Sequence, residues 1–470
     1  MSSTAIVWLR RDLRLADNPA LHQARERHDR VVPVYVHDLD AEGDWPPGAA
    51  SCWWLHQSLA ELDERLKKRD SRLVIAAGDT VEALMRIRKV VGADAVYWSR
   101  RYEPSARRHE QQVEQALGAA GLEVEGFNGS LLFEPWQRVK DDGTAYRVFT
   151  PYWKSVQRYW RLPSPLPEPR KLAGPERWPP TLSVTDLDLL PDVDWAGGLR
   201  ECWSPGELGA RRRLDGFSEC LVDGYDRDRD LPHRQGTSGL SAHLHFGEIS
   251  PAQIARALEP SGELPGGKGR MVFASELAWR EFSHHLLWHF PHTPTEPMHE
   301  HFKHFPWRQP EDHAADLKAW QQGRTGIPMV DAGMRELWHT GWMHNRVRMI
   351  VASFLTKNLL IPWQEGTRWF WDTLVDADLA NNTQGWQWTA GCGADAAPYF
   401  RVFNPVLQGR KFDPEGAYVR RWCPELAERP NRHLHLPVDQ AASQRYGYPV
   451  ARVDLKESRE RALAAWERIR

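Results

Sequence analysis

A chain of 470 residues is long enough for two or three domains with real cores, and its formal charge of -2, from 61 Lys and Arg against 63 Asp and Glu, excludes a global field pulling it toward nucleic acid or membrane. Any contact with DNA must come from a local patch. Five cysteines without a CxxC pair argue against a zinc site or a disulfide framework, and neither an export signal nor a run of transmembrane length is present, so a soluble, cytoplasmic protein is expected.

The first third alternates short apolar runs with helical patterns. Ile6 to Leu9, Val31 to Val36, Leu73 to Ala76, Ala95 to Trp98 and Val124 to Phe127 read as strands, with helices such as Cys52 to Lys68 and Val81 to Val91 between them. This βαβα rhythm predicts a Rossmann-like parallel sheet covered on both faces, over residues 1–135. No GxGxxG follows the first strand, so a dinucleotide is not expected at that turn. Residues 163–180 are Pro-rich and read as part of a linker over 136–205. Beyond it, Met271 to Trp288, Val330 to Leu337, Trp342 to Asn358 and Gly366 to Val375 carry helical spacing, predicting an all-α domain over 206–470. Residues 262–268 nearly spell a P-loop, but Gly269 stands where a hydroxyl must reach magnesium. Histidines 284, 285, 289, 292, 299, 301 and 304 show no HExxH and read as helix-surface and loop residues rather than metal ligands.

Four segments of the helical half carry polar groups at positions that suit a binding site, and the first of them mixes polar groups and indoles as a packed core does not. Asp376 to Trp388 holds two acids, two Asn and two Trp in thirteen residues, fitting either a cap and turn or the wall of a pocket for a polar aromatic cofactor. Thr237 to Ser241 fits a phosphate-binding turn or a plain N-cap. Glu276, Trp279 and Arg280 share one helix face, a base-binding surface or an amphipathic edge. Asn345 and Arg348 lie near one face of their helix, with Arg346 pointing elsewhere. Tryptophan, at 24 residues, outnumbers Phe and Tyr, and twelve of them fall between Trp279 and Trp422.

Taken together, the opening Trp8 to Pro19 and the motifs TSGLS, ELAWREF, GWMHNRVRM, DADLANNTQGWQW and DAAPYFRVFNP resemble the cryptochrome/photolyase family, in the family's order from residue 8 to about 425. Within it the chain looks most like the class I cyclobutane pyrimidine dimer photolyases. The resemblance implies light-driven electron transfer from excited reduced FAD to a dimer flipped out of DNA, in a monomeric enzyme. It assigns Tyr225, Thr237, Ser238, Gly239, Leu240 and Ser241 to the phosphate and adenosine side of FAD. Arg348 and Asp376 become an ion pair against the flavin, Asp378 a second contact, and Asn382 the amide facing flavin N5, where plant cryptochromes carry an acid. Trp279 and Trp388 would sandwich the dimer, Glu276 would hydrogen-bond it, and Asn345 would add a contact. Arg229, Arg280, Arg346 and Arg401 would meet phosphates or line the rim. Trp386, Trp363 and Trp307 would relay electrons to oxidised flavin. For an antenna chromophore, Glu103 keeps the folate-binding pattern of relatives, while Tyr102 and Pro294-Thr295 depart from it; methenyltetrahydrofolate leads, with a deazaflavin, FMN or an empty site as alternatives. A six-four photolyase is disfavoured by Met343-His344-Asn345 and Gln387, and a photoreceptor by the absence of a long tail.

Overall fold

The computed structural model describes residues 2–396 and 400–470. Five strands, β1 (Thr4–Leu9), β2 (Arg30–His37), β3 (Val74–Ala77), β4 (Ala95–Ser99) and β5 (Glu123–Phe127), pair in the order β3-β2-β1-β4-β5, all parallel. Every residue of β1 and β4 is buried, as a strand covered on both faces requires. Helices α1 (Pro19–Arg27), α2 (Ala49–Lys67), α3 (Thr80–Val91) and α4 (Pro104–Ala119) are the crossovers. Their ends follow local chemistry. Asn18 and Asp79 accept the backbone N–H of Leu21 and Glu82 at the starts of α1 and α3, and Gly92 closes α3 in the left-handed conformation.

Residues 163–180 form no regular element and are pinned by single backbone bonds, such as Leu172 N–H to Arg69 O at 2.9 Å and Val31 N–H to Ala173 O at 2.8 Å. The segment expected as linker nonetheless contains two α-helices, α5 (Phe149–Arg158), whose first residue enters the site, and α6 (Gly197–Cys202). From Glu207 on, the regular structure is helical. The helix Lys268–His289, the helices Pro328–Thr340, Asn345–Ser353 and Trp363–Thr373, and the helix Leu379–Ala390 carry the motifs. The expected helix from Trp342 to Asn358 is shorter at its start. His344 caps it, its Nδ1 accepting the N–H of Arg346 at 3.2 Å, which fixes the first turn at Asn345. It also ends in a π-helical turn over Phe354–Asn358.

The sheet and the helices are locked through a buried carboxylate. Glu248, fully buried, accepts the indole N–H of Trp54 on α2 and the backbone N–H of Gly206, both at 2.8 Å, and is also bound by Ser58 and His243. Arg14 bridges the same seam, donating to the carbonyls of Gly247 and Gly129 at 2.9 and 2.7 Å. Removing the carboxylate would leave several buried donors unmet. Glu248→Ala is expected to lower the unfolding free energy by about 3–5 kcal/mol, read from the denaturant midpoint.

Candidate functional site

The turn from Asp376 to Asp378 gathers four segments. Arg348 donates through Nη2 to both carboxylate oxygens of Asp376, at 3.0 and 2.8 Å, while its Nε is held by the carbonyl of Met343 at 2.7 Å. Ser241 donates to the same carboxylate at 2.6 Å, which brings the 237–241 turn against Asp376. In that turn Leu240 is buried and Thr237, Ser238 and Gly239 are half-buried. Gly239 takes φ +63, a left-handed conformation that favours glycine, and a Cβ there would displace the Arg213 guanidinium. Tyr225 lies buried nearby, with the Arg229 guanidinium 5.3 Å from its ring centre.

Asp378 caps the helix Leu379–Ala390, accepting the backbone and side-chain N–H of Asn381 at 2.8 and 2.7 Å. Its other oxygen faces Nε2 of His284 at 3.5 Å. Burial works to raise the pKa of Asp378, but the charges of His284 and Arg280 outweigh it, and the carboxyl lies well below its usual range. For His284, burial opposes the charge and Asp378 more than restores it, so its pKa is raised. His284 and His285, expected on a helix surface, are therefore interior. Nδ1 of His285 lies 3.1 Å from the carbonyl of Pro135, and its Nε2 accepts the N–H of Tyr146 at 3.0 Å. No cluster able to hold a metal occurs among the described residues.

Asn382 and Trp386 follow one turn apart. The Asn382 amide donates to Thr367 O at 3.1 Å, tying this helix to Trp363–Thr373. Trp386 and Trp363 are buried in one apolar cluster, with Trp307 partly buried at its edge. Gly366, one turn past Trp363, lies directly against the Trp386 ring, where any Cβ would collide with the indole. Trp320, not singled out by the motifs, also touches Trp386, with ring centres 6.1 Å apart and an interplanar angle of 69°. Its fully apolar surroundings carried no sequence signal.

Trp279 is backed on one face by Phe149, whose ring is stacked at 3.7 Å and 10°, so a guest can stack only on the other. The indole N–H of Trp388 donates to Asp395 O at 3.0 Å. Between these two motifs, Gln387 is an interior clamp. It donates to Thr293 O and Glu296 O at 2.6 and 2.8 Å and accepts the N–H of Met298 at 2.9 Å. Glu276 forms an ion pair with Arg229. The cations assigned to the rim are placed unevenly. Arg346 pairs with Asp230 at 2.8 Å, and Arg280 turns inward, donating to Ser130 O at 2.8 Å with only 13 % of its side chain exposed. Arg280 thus lies beside Asp378 rather than on a phosphate-facing rim. Asn345 and Arg401 are exposed. Of the motif at 395–405, Ala397, Pro398 and Tyr399 lie outside the described residues.

The positions considered for an antenna chromophore are occupied by protein contacts. Tyr102 is buried and donates to Glu134 at 2.7 Å, and Glu103 is paired with Arg101. At the carboxyl ends of β1 and β2, Arg11, Tyr35, Glu42 and Arg101 line a cavity of about 50 Å³.

Residues 5–170 match the family model described as DNA photolyase, and residues 273–468 that of the FAD binding domain of DNA photolyase. Over its whole length the chain is 44% identical to a deoxyribodipyrimidine photo-lyase of Agrobacterium fabrum, covering 98% of that protein. The chain belongs to the DNA photolyase family. It is also 38% identical to Cryptochrome-2 of Arabidopsis thaliana, of which it covers 80%. The solved structure of a bacterial class III photolyase from Agrobacterium tumefaciens superposes with a TM-score of 0.94 at 44% identity, covering 100% of this chain and 98% of that one. The class I resemblance of the motifs is thus not what this neighbour displays.

The photolyase residues present fit FAD. Hydroxyls and a left-handed glycine at 237–241 suit phosphates, and the Arg348–Asp376 pair and Asn382 offer charge and an amide to a polar ring system. The indole N–H of Trp386 and the hydroxyl of Thr383 are buried without a partner among the described residues, a deficit that a bound heteroaromatic can relieve.

The Asp378–His284 pair makes a pH prediction. A raised histidine pKa contributes stability that is full below the unfolded value of about 6.5 and is lost as pH rises through the folded pKa; the depressed Asp378 contributes above about 3.9 and loses it on acidification. The difference in unfolding free energy between wild type and His284→Gln is expected to shrink above pH ~6.5, measured by urea titration across pH 5–9.

Proposed function

We propose that this chain is a light-driven deoxyribodipyrimidine photo-lyase that splits cyclobutane pyrimidine dimers in DNA with FAD as cofactor. The observation that carries the reading is a carboxylate, Glu276, one helical turn before a half-buried indole, Trp279, whose second face is covered by Phe149. That arrangement suits a pyrimidine pair taken out of the duplex: a flat wall for stacking and a carboxyl for the base edge. Trp388, held through its N–H, supplies the second wall in this reading.

When bound, reduced and photoexcited FAD supplies the electron that opens the cyclobutane ring. The chain positions and insulates. Arg348 and Ser241 hold Asp376, and the Asp378 cap orients the helix that presents Asn382. Arg229 holds Glu276 by a charge-assisted hydrogen bond and orients its carboxyl toward a base N–H. Trp386 and Trp363, sealed in the apolar cluster, offer a water-free relay toward Trp307.

A duplex with one defined cyclobutane dimer, assayed under blue light and in the dark beside a duplex with a six-four lesion, tests the reading. Light-dependent loss of the cyclobutane dimer alone is expected. Repair of only the six-four lesion moves the chain to that specificity, and repair of neither by reduced protein removes the lyase assignment.

Two variants divide the roles. Glu276→Ala loses one charge-assisted hydrogen bond of about 1.5–3 kcal/mol, so repair by reduced enzyme should fall roughly 10- to 150-fold. Its affinity for lesion DNA should hold or rise, since Arg229 loses its counter-ion; a parallel loss of binding would contradict the assignment. Trp363→Phe should block photoreduction of the oxidised cofactor, followed by its absorbance, while repair by chemically reduced enzyme persists.

A further inference from the structure

A second cavity, of about 230 Å³, opens beside Trp388, and its lining includes Lys357, His299, Phe400, Phe403 and Trp466. Its walls are aromatic. Phe400 and Trp466 stack on each other with ring centres 5.3 Å apart and planes 4° apart. None of the lining residues is acidic.

Lys357 stands out within it. The residue is 1% exposed, and its ammonium lies 3.3 Å from the centre of the Phe400 ring. Among the described residues no carboxylate lies within ion-pair distance of it, and the titratable group that acts on it is the Cys392 thiol. That thiol, with burial pushing its pKa up to about 12, stays neutral and cannot serve as a counter-ion. A cation–π contact replaces part of the lost hydration of an amine, and an unpaired buried charge remains costly. Burial accordingly pulls the Lys357 pKa down to about 7. The backbone is irregular at the same place: Lys357 belongs to the π-helical turn Phe354–Asn358, and Leu360 just beyond takes φ +53, a conformation a leucine adopts only under constraint.

We propose that this cavity is a binding site for a planar aromatic anion, whose negative group pairs with Lys357 and whose ring packs among Phe400, Phe403 and Trp466. The ligand supplies the charge the protein omits and the flat surface its walls match. Its volume suits one bicyclic ring and lies below the usual ~300–1,000 Å³ of drug-sized clefts. Lys357, Phe403 and Trp466 lie outside the groups assigned to the flavin and the dimer, whereas Trp388 and Arg401, which the dimer-binding reading also uses, border the cavity. A nucleotide of bound DNA and a free aromatic acid share the required chemistry.

The test uses the full chain with its flavin bound, titrated calorimetrically with 2-naphthoate, with thymidine 5′-monophosphate and with cyclohexanecarboxylate. The proposal expects saturable binding of an aromatic anion, weaker binding of the non-aromatic acid, and at least a tenfold loss in Lys357→Met. Affinity should also fall as pH rises from 6 to 8, as Lys357 loses its proton; His299, whose pKa burial lowers, and His301 and Arg401 face the same space, and the Lys357→Met comparison separates their share. Should that variant fail to fold, lysine acylation of the wild-type protein, mapped by mass spectrometry, should show Lys357 protected by 2-naphthoate. Displacement of 2-naphthoate by an undamaged oligonucleotide would identify DNA as the source of the ligand; its retention would identify a free acid. Absence of binding tighter than about 1 mM for either aromatic probe, undiminished binding in Lys357→Met, or no protection of Lys357 would overturn the proposal.

Discussion

Two carboxylates placed two residues apart in a dry turn are the constraint around which the helical half is assembled. Neither Asp376 nor Asp378 can be buried unless cations or N–H groups meet it, because desolvation of an unpaired carboxylate costs several kcal/mol. The two are satisfied from different directions. Asp376 draws in Arg348 and Ser241, and with them the start of the helix Asn345–Ser353 and the 237–241 turn. Asp378 takes the N-terminus of the helix Leu379–Ala390 and the His284 imidazole from the helix Lys268–His289. Three segments distant in sequence, and the helix that follows directly, are therefore ordered by the charge requirements of one turn. The same requirement aims Asn382, Trp386 and Trp388, whose directions are set once their helix is capped.

The abundance of tryptophan acquires its meaning from what each indole touches. Trp54 and Trp320 are packing residues whose N–H groups meet Glu248 and Val351 O. Trp386 is as buried, but its N–H has no partner among the described residues, and the residue facing its ring is Gly366, where any Cβ would collide with the indole. Trp279 is a half-covered surface platform. Burial alone does not separate these roles. The hydrogen-bond state of the N–H and the identity of the opposing atom do.

Electrostatics tell a similar story for nucleic-acid contact. A near-neutral chain must gather local positive charge, and of the motif arginines Arg229 lies on the Glu276 face while Arg280 turns inward; Arg229 and Arg346 are already paired with acids. Such pairs keep the empty surface from carrying isolated desolvated charges and can exchange partners when phosphates approach. They also orient Glu276, through Arg229.

The sequence by itself determined the fold class, since apolar runs alternating with helical spacing leave few options but a covered parallel sheet, and the motifs determined the family and which helices carry chemistry. Local signals such as Asn18, Asp79 and Gly92 likewise act over a few residues and are readable from them. Direction and pairing were decided only by tertiary structure. That Arg280 turns inward to Ser130, that His284 is an interior partner of Asp378, that Gln387 clamps a loop, and that Phe149, from a stretch resembling a linker, backs Trp279 are all contacts across more than 80 residues of chain. A side chain's spacing says which helix face it shares; which charge or ring meets that face depends on the packing of the rest of the molecule.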